Sequence, residues 1–151
     1  MSDKLDVVGI GNAMVDAIIP SNQSEIEKHE INRDSMNLID ENLKNNLHES
    51  YSIREMAGGG SLGNSMFGIT SFGGNGSFIG KIKNDEIGVY LQKDMIREGL
   101  KFPLGFTSPD ISTGCCTIFV EEDGTRTMCT FLGAGTLIAV SYTHLTLPTK
   151  C

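Results

Sequence analysis

Short apolar runs alternate along the chain with stretches whose apolar residues recur at helical spacing. The continuous runs are typical of buried strands, and the stretches with one apolar face are typical of helices packed on a sheet. The predicted strands are LDVVGIGNAMVDAIIP (5–20), interpreted as a single strand that continues past Gly9 and Gly11, SMNLI (35–39), SIREM (52–56) and SFIGKI (77–82). The predicted helices are SNQSEIEKH (21–29), ENLKNNLHES (41–50), SLGNSMFGITSFGG (61–74) and NDEIGVYLQKDMIREGL (84–100).

Polar residues and glycines mark the ends of these helices. A side chain that accepts a hydrogen bond from the first turn stabilises the start of a helix, and glycine is common just after its end. The candidate caps are Ser21 or Asn22, Asp40, and Asn84 or Asp85, and the candidate stops are Gly73–Gly74 and Gly99.

The pattern changes in the segment TGCCTIFVEEDGTRTMCTFLG (113–133). It predicts two strands around a Glu122-Asp123-Gly124 turn, because an Asp-Gly pair between apolar runs favours a hairpin. The alternation of strands and helices before it predicts an α/β domain with a mostly parallel central sheet. The hairpin and residues 35–39 do not fit that alternation, so we expect them to form a small accessory sheet.

The last stretch fits neither pattern. TLIAVSYTHLTLPTKC (136–151) has no helical face and no clear turn, and residues 140–150 resemble a translated sequencing adaptor. An α/β sheet that begins in this way would ordinarily continue. We therefore expect a truncated chain, with a genuine α/β unit over 1–135 and a non-native or unstructured tail over 136–151.

Composition and charge narrow the functional classes. The 151 residues are 39% apolar, include 18 glycines and carry a net charge of −7, which argues against a surface for nucleic acid. No apolar run approaches the ~18 residues of a membrane span, and the acidic start MSDKLDVVGIG is not a signal peptide. The four cysteines form no C-x-x-C pair, so we expect reduced thiols in a cytoplasmic protein.

Several common site motifs are absent. GIGNAM (9–14) is not a dinucleotide fingerprint, because Met14 stands where the third glycine is needed. A phosphate loop is excluded because Gly80-Lys81 is followed by Ile82 and not by Ser or Thr. The three histidines are scattered on polar segments, so neither a catalytic nor a metal-binding histidine is expected.

The remaining candidates are polar residues beside glycines. Asp16 lies in an apolar run, where a carboxylate is costly without a function, and Asn12 precedes it by four residues. The glycines at 58–60 open a helix whose first amides have no internal partner, and Asn64 lies on the first turn of that helix. Carboxylate, amide and free N–H groups together suit neighbouring sugar hydroxyls. Ordinary interpretations stay open: Asp16 as a turn residue or a ligand of a backbone N–H, the glycines as a tight connection, and Asn64 as a buried amide.

Four motifs together resemble the PfkB family, which includes ribokinase and adenosine kinase. They are DVVGIGNAMVD (6–16), AGGGSLGNS (57–65), FGGNGSFIGKIKNDEIG (72–88) and the hairpin DGTRTM followed by FLGA. Their order along residues 5 to about 135 matches the N-terminal half of the family, and the hairpin suits the adenosine kinase-like branch. Leu62, Gly63 and Met66 depart from the small residues that are usual there, which concerns packing more than identity.

The resemblance implies a Rossmann-like (ribokinase-like) three-layer domain with a β-sheet lid over a sugar. By position, Asp16 would bind ribose hydroxyls and Asn12 would lie beside the nucleoside. Arg126 would lie near the transferred phosphate. The sugar pocket would be completed by Gly59, Gly60, Ser61 and Asn64.

The resemblance implies that the catalytic base and the nucleotide site lie in a later half, which we expect to be missing from this chain. The family's G-A-G-D motif is not matched, because Thr136 follows Gly133–Gly135. We therefore expect an N-terminal piece of a kinase that uses ATP and Mg²⁺, with no catalytic residue and no metal ligand in this chain. The alternatives are a non-catalytic sugar- or nucleoside-binding module, and an unrelated α/β domain with structural glycines. Unpaired lid strands could also pair between two subunits.

Overall fold

The computed structural model describes residues 4–103 and 106–138. Within these ranges, strands and helices alternate as the sequence predicts, and the α/β class is confirmed. The strands are β1 (Val7–Ile10), β2 (Met14–Pro20), β3 (Met36–Leu38), β4 (Glu55–Gly59), β5 (Gly76–Ile79), β6 (Ile82–Lys83), β7 (Phe106–Ser108), β8 (Gly114–Val120) and β9 (Arg126–Phe131). The helices are α1 (Gln23–Glu27), α2 (Glu41–Ser50), α3 (Ser61–Ser71), α4 (Glu86–Arg97) and a 3-10 helix, Gly133–Leu137.

The prediction of a single strand over residues 5–20 is wrong. The chain forms β1, which pairs in parallel with β5, and then crosses into a different sheet as β2. The amide of Gly11 still donates to Ile79 O at 3.1 Å, and the ladder ends there. The apolar run hides this break because both strands are rich in apolar residues, although Val7 and Val8 of β1 are exposed. The predicted strand 77–82 divides in the same way into β5 and β6.

The accessory sheet is larger than predicted. It contains five strands in the order β3-β9-β8-β2-β4, and we call it the lid sheet. The expected hairpin is β8 and β9, with Val120 opposite Arg126, and β3 joins it beside β9. β2 and β4, expected in the central sheet, are the other two members. The parallel pairs β1-β5 and β6-β7 form separate two-stranded sheets.

The helix boundaries follow the predicted caps. Asn22, Asp40 and Asp85 each accept a hydrogen bond from the third residue of their helix. α3 and α4 end just before the predicted glycines, Gly73 and Gly99, which adopt φ of 85° and 82°. These short-range signals work because each depends on the residues next to it and not on the partner sheet.

Two apolar cores hold these elements. The first lies between α3, α4 and the parallel strands, and it contains Val15, Met66, Phe78, Leu91 and Met95. The second lies between the lid sheet and the helices α1 and α2, and it contains Ile19, Ile26, Leu47, Phe119 and Cys129. β2 contributes to both, because Val15 enters the first core and Ile19 the second.

The 3-10 helix Gly133–Leu137 crosses the boundary expected at residue 135. Gly133, Ala134 and Gly135 are buried in it, and the amide of Ala134 donates to Ser112 O at 2.8 Å. Residues 139–151, which make up most of the expected tail, lie outside the described residues. In the part of the chain that is described, no helix is long and apolar enough to cross a bilayer.

Candidate functional site

The lid sheet has one covered face and one open face. Side chains alternate along a strand, so residues such as Ala17 and Ile19 turn to the covered side, while Asp16 and Ile18 turn away from it. The open face forms a cleft of ≈ 810 Å³. Its floor includes Asp16 and Ile18 from β2, Ala57 from β4, Ile118 and Val120 from β8, and Arg126 from β9.

Asp16 is a half-buried carboxylate in the middle of β2. It lies opposite Ala57 on one neighbouring strand and Cys116 on the other. Within the described residues, its carboxylate makes no hydrogen bond and no ion pair. Burial raises the pKa of this carboxyl above its ordinary value. Neither a turn residue nor a ligand of a backbone N–H fits this placement.

The glycine segment lies directly against that carboxylate. A Cβ on Gly59 would overlap the Asp16 carboxylate, and a Cβ on Gly58 would meet the Phe67 ring at 2.7 Å. Gly60 adopts φ 80°, where side chains are strained, and precedes α3 as its cap residue. The glycines therefore permit a close approach of backbone and carboxylate that any larger residue would prevent.

The start of α3 adds hydrogen-bond donors near the same point. Gly60 has no side chain to cap the helix. The first intrahelical bond is donated by the Asn64 amide to Gly60 O at 2.9 Å. The amides before it have no partner within the helix, and the helix dipole makes this end attractive to negative or electron-rich groups.

The structure brings the predicted site residues together only in part. Asp16, Gly59 and Gly60 form one contiguous patch, and the backbone of Asn12 lies beside Gly60. The buried Gly135 packs against the Asn12 side chain, where a Cβ would be 3.0 Å from that of Asn12.

The other predicted residues lie farther out. Ser61 and Asn64 are exposed on the first turn of α3, so the interpretation of Asn64 as a buried amide is wrong. Neither residue lines the cleft, and Asn12 does not line it either. Arg126 does, but it pairs with Val120, four residues along β8 from the strand partner of Asp16, or roughly 13 Å at this spacing.

Two residues at this site were missed. Met14 is 8% exposed and packs on Gly60, where a Cβ would lie 3.1 Å from its Cγ. Asp94 in α4 is 5% exposed and accepts the Gly58 amide at 2.8 Å. The sequence carried a signal for Asp94, because it falls on the apolar face of α4 with Ile87 and Leu91.

A hydrogen-bond network explains the D-x-x-G spacing of Asp85 and Gly88. One oxygen of Asp85 accepts the Gly88 amide at 2.8 Å and the Thr113 hydroxyl at 2.7 Å, and the other accepts the Thr113 amide at 2.9 Å. A Cβ on Gly88 would overlap the carbonyl of Lys83. The motif therefore joins the start of α4 to the point at which the chain enters lid strand β8.

The thiols and the charged groups that the structure describes do not form a metal site. Among the described residues, no group of three or more His, Cys, Asp and Glu side chains could hold an ion. Cys115, Cys116 and Cys129 are buried and free, and burial raises the pKa of Cys115 and of Cys129 to about 12. The remaining cysteine, Cys151, lies outside the described residues.

Comparison with known proteins gives a family match over nearly the whole chain. Residues 5–140 match the model of the pfkB family carbohydrate kinases. No curated protein sequence gives a significant match.

Solved structures give similar folds. A probable sugar kinase from Rhizobium etli is 31% identical with a TM-score of 0.80, and the adenosine kinase from Sinorhizobium meliloti is 35% identical with a TM-score of 0.78. Each match covers 91% of this chain and 42% of that protein. The adenosine kinase from Anopheles gambiae, in complex with P1,P4-di(adenosine-5) tetraphosphate, has a TM-score of 0.77 at 22% identity, which shows the fold alone. The predicted ribokinase-like fold is therefore confirmed, and the chain spans about two-fifths of these proteins.

Proposed function

This chain belongs to the pfkB family of carbohydrate kinases, and we propose that it forms the acceptor-binding part of an ATP-dependent sugar or nucleoside kinase. The whole enzyme transfers the γ-phosphoryl group of ATP to a hydroxyl of a small acceptor such as ribose or adenosine. Because the chain spans 42% of its structural relatives, we propose this activity for the whole protein. We propose that residues 1–151 alone are inactive.

The observation that carries the proposal is the unpartnered carboxylate of Asp16. It is half-buried, faces the cleft and lies against the Gly59 backbone. A buried carboxylate without a hydrogen bond destabilises a fold, so a donor supplied by a ligand offers the best account of it. Two adjacent sugar hydroxyls would donate to its two oxygens, while the exposed Asn12, Ser61 and Asn64 lie at the edge of this patch.

The role of these residues is to orient the acceptor. Proximity and orientation account for a large share of catalysis in phosphoryl transfer, because the reacting groups need little covalent help from the protein. Arg126 lies at the other end of the cleft and is the candidate residue for binding a charged group that lies beyond the sugar. For Asp16 and Arg126 to act on one acceptor, the acceptor must span much of the cleft or the lid sheet must move.

ATP and Mg²⁺ would supply the phosphoryl group and the charge that stabilises its transfer. The residues described here do not fit either group. They include no phosphate loop and no metal cluster, so we place the nucleotide site outside residues 4–138 and assign no catalytic step to this chain.

Two experiments test this function. Isothermal titration of residues 1–151 with adenosine and with ribose measures acceptor binding. A chimera of residues 1–135 and the remaining part of the Sinorhizobium meliloti adenosine kinase tests whether this half supports acceptor-dependent ADP formation. Activity that falls in Asp16→Ala supports the proposal. Acceptor binding by residues 1–151 without turnover by the chimera would favour a non-catalytic binding module. Absence of both binding and turnover would favour an α/β domain in which the glycines have a structural role only.

We also propose a location and a mode of association. Three buried free thiols suit the reducing cytoplasm. β3 is an edge of the lid sheet, and its Met36 and Leu38 are 55% and 67% exposed, so pairing of two copies would use β3. Size-exclusion chromatography with light scattering tests it, and a monomer at all accessible concentrations would contradict it.

A further inference from the structure

β4 is the edge strand of the lid sheet that carries the glycine segment. Its inner side pairs with β2, with Gly59 opposite Met14 and Gly58 opposite Val15. Groups on the outer side of an edge strand lack a ladder partner and must bond elsewhere. Two of them are Met56 O and the Gly58 amide, which point away from β2.

α4 covers this outer side with two polar side chains, one turn apart. The hydroxyl of Tyr90 donates to Met56 O, and a carboxylate oxygen of Asp94 accepts the Gly58 amide at 2.8 Å. Residues four apart lie on the same face of a helix, so Tyr90 and Asp94 replace a sixth strand over this part of β4.

Asp94 is the unusual member of this pair. It is 5% exposed, and the other large buried side chains of α4 are Leu91 and Met95. A buried carboxylate is costly unless it is paired. Its second oxygen bonds to Arg97, whose side chain is 68% exposed. A charged acceptor makes a stronger bond to an amide than a neutral one.

The glycine segment is where such a bond is needed. Three consecutive glycines have no side chains to pack and the widest backbone freedom, so neighbouring atoms must determine their position. Asp94 bonds to Gly58 from the α4 side, while the Asp16 carboxylate lies against Gly59 on the other. The two carboxylates thus flank adjacent residues of one strand.

We propose that Asp94 is a positioning residue that fixes the backbone of Gly58–Gly60. Its bond to the Gly58 amide keeps Gly59 in contact with the Asp16 carboxylate. The consequence for acceptor binding rests on the function proposed above. Asp94 does not touch the acceptor; it acts through the Gly58 amide, and Arg97 neutralises its charge.

Amide hydrogen exchange in residues 1–151, measured by NMR, tests the positioning itself. Asp94→Leu removes the acceptor but keeps the site filled, and we expect the Gly59 amide to exchange about tenfold faster than in the parent chain. Tyr90→Phe is the matched control, since it removes a hydrogen bond to the same strand from the same helix face. We expect the Gly59 amide of this control to exchange at about the parent rate. An unchanged Gly59 in Asp94→Leu, or an equal effect of Tyr90→Phe, would overturn the proposal.

A second variant covers the case in which Asp94→Leu does not fold. Asp94→Asn keeps the shape of the side chain and leaves a weaker hydrogen-bond acceptor. We expect the Gly59 amide to exchange about threefold faster in Asp94→Asn than in the parent, while Tyr90→Phe stays at about the parent rate. Equal exchange in Asp94→Asn and the parent would then contradict the role of the carboxylate.

Kinetics of the chimeric enzyme connect the position to function. We expect Asp94→Leu to raise KM for the acceptor about tenfold while KM for ATP stays within about twofold. A proportional change in both constants would indicate a general structural defect. A parent chimera without activity would refute the proposed function, while the exchange result would still decide the position of the glycine segment.

Discussion

Replacing Asp16 should weaken acceptor binding without weakening the fold. Asp16→Asn keeps the size of the side chain and removes the charge, and Asp16→Ala removes the acceptor oxygens as well. Both are informative because the carboxylate has no hydrogen-bond partner within the described residues, so neither change removes a hydrogen bond from the fold.

The expected loss of affinity follows from the charge on the acceptor oxygens. A hydrogen bond to a charged group is worth about 1.5–3 kcal/mol, against about 1 kcal/mol for a neutral one. Since about 1.4 kcal/mol is a tenfold change in affinity, Asp16→Ala should weaken acceptor binding by roughly 10- to 150-fold. The acceptor affinity of Asp16→Asn should lie between that of Asp16→Ala and that of the parent. Asn64→Ala should weaken acceptor binding less than either Asp16 variant.

The effect on stability should have the opposite sign. Burial raises the pKa of Asp16 above 3.8, so the folded chain binds a proton more tightly than the unfolded chain. The free energy of unfolding therefore falls as pH rises from 3.8 through the raised pKa, and the full penalty is present at neutral pH. Asp16→Asn removes the ionised form, and we expect its Tm at pH 7 to equal or exceed that of the parent.

Both quantities are measured on the same variants, with acceptor KM or Kd from the chimera and Tm from calorimetry of the 151-residue chain. The difference in Tm between Asp16→Asn and the parent should vanish at a pH below 3.8 if both remain folded. A Tm that drops in Asp16→Asn, together with unchanged acceptor binding, would show that Asp16 serves the fold and would refute the reasoning.

Three further predictions test the glycine strand, the thiols and the α4 cap. Gly59→Ala should lower the free energy of unfolding, measured in urea, by about 1–3 kcal/mol because its Cβ overlaps Asp16. The control Gly63→Ala has open space at its Cβ and should raise the free energy of unfolding by about 0.4–1 kcal/mol. Burial raises the pKa of Cys115 and of Cys129 to about 12, so in a Cys151→Ser background both thiols should resist iodoacetamide at pH 8 and react once the chain is unfolded. Rapid labelling of these thiols in the native chain would contradict this. Asp85→Ala should cost about 1–2 kcal/mol for the lost cap alone, and a loss no greater than that of Thr113→Val would show that the cap contributes nothing.

Local signals in the sequence predicted the helices well. The caps Asn22, Asp40 and Asp85 bond to residues three positions away, and that information lies within one turn of chain. The Asp-Gly turn of the hairpin is similarly local in cause. The family motifs then predicted the fold, because four of them occur in the right order.

Sheet membership could not be predicted in this way. Nothing in residues 5–20 distinguishes a strand that stays in one sheet from one that changes sheets at Gly11, because both halves are apolar. The strand predicted at residues 52–56 overlaps β4 only at Glu55 and Met56, because β4 continues through Gly58 and Gly59. The place of β4 at the edge of the lid sheet depends on β2 and α4, which are remote in sequence. The contact between Asp94 and Gly58 spans 36 residues, and only the packed structure shows it.

The candidate site lies where the local choices of residue are unfavourable for folding. Asp16 is a strand carboxylate without a partner, Gly58 and Gly59 weaken the strand they occupy, and Gly60 leaves α3 without a side-chain cap. Such departures from favourable local structure cluster at functional sites. Each one serves the same geometry here, since small residues let the β4 backbone approach Asp16 and the uncapped helix keeps its amides free. An unrelated α/β domain with structural glycines would need the close approach at Gly59, but it would have no reason to place an ionisable group against it.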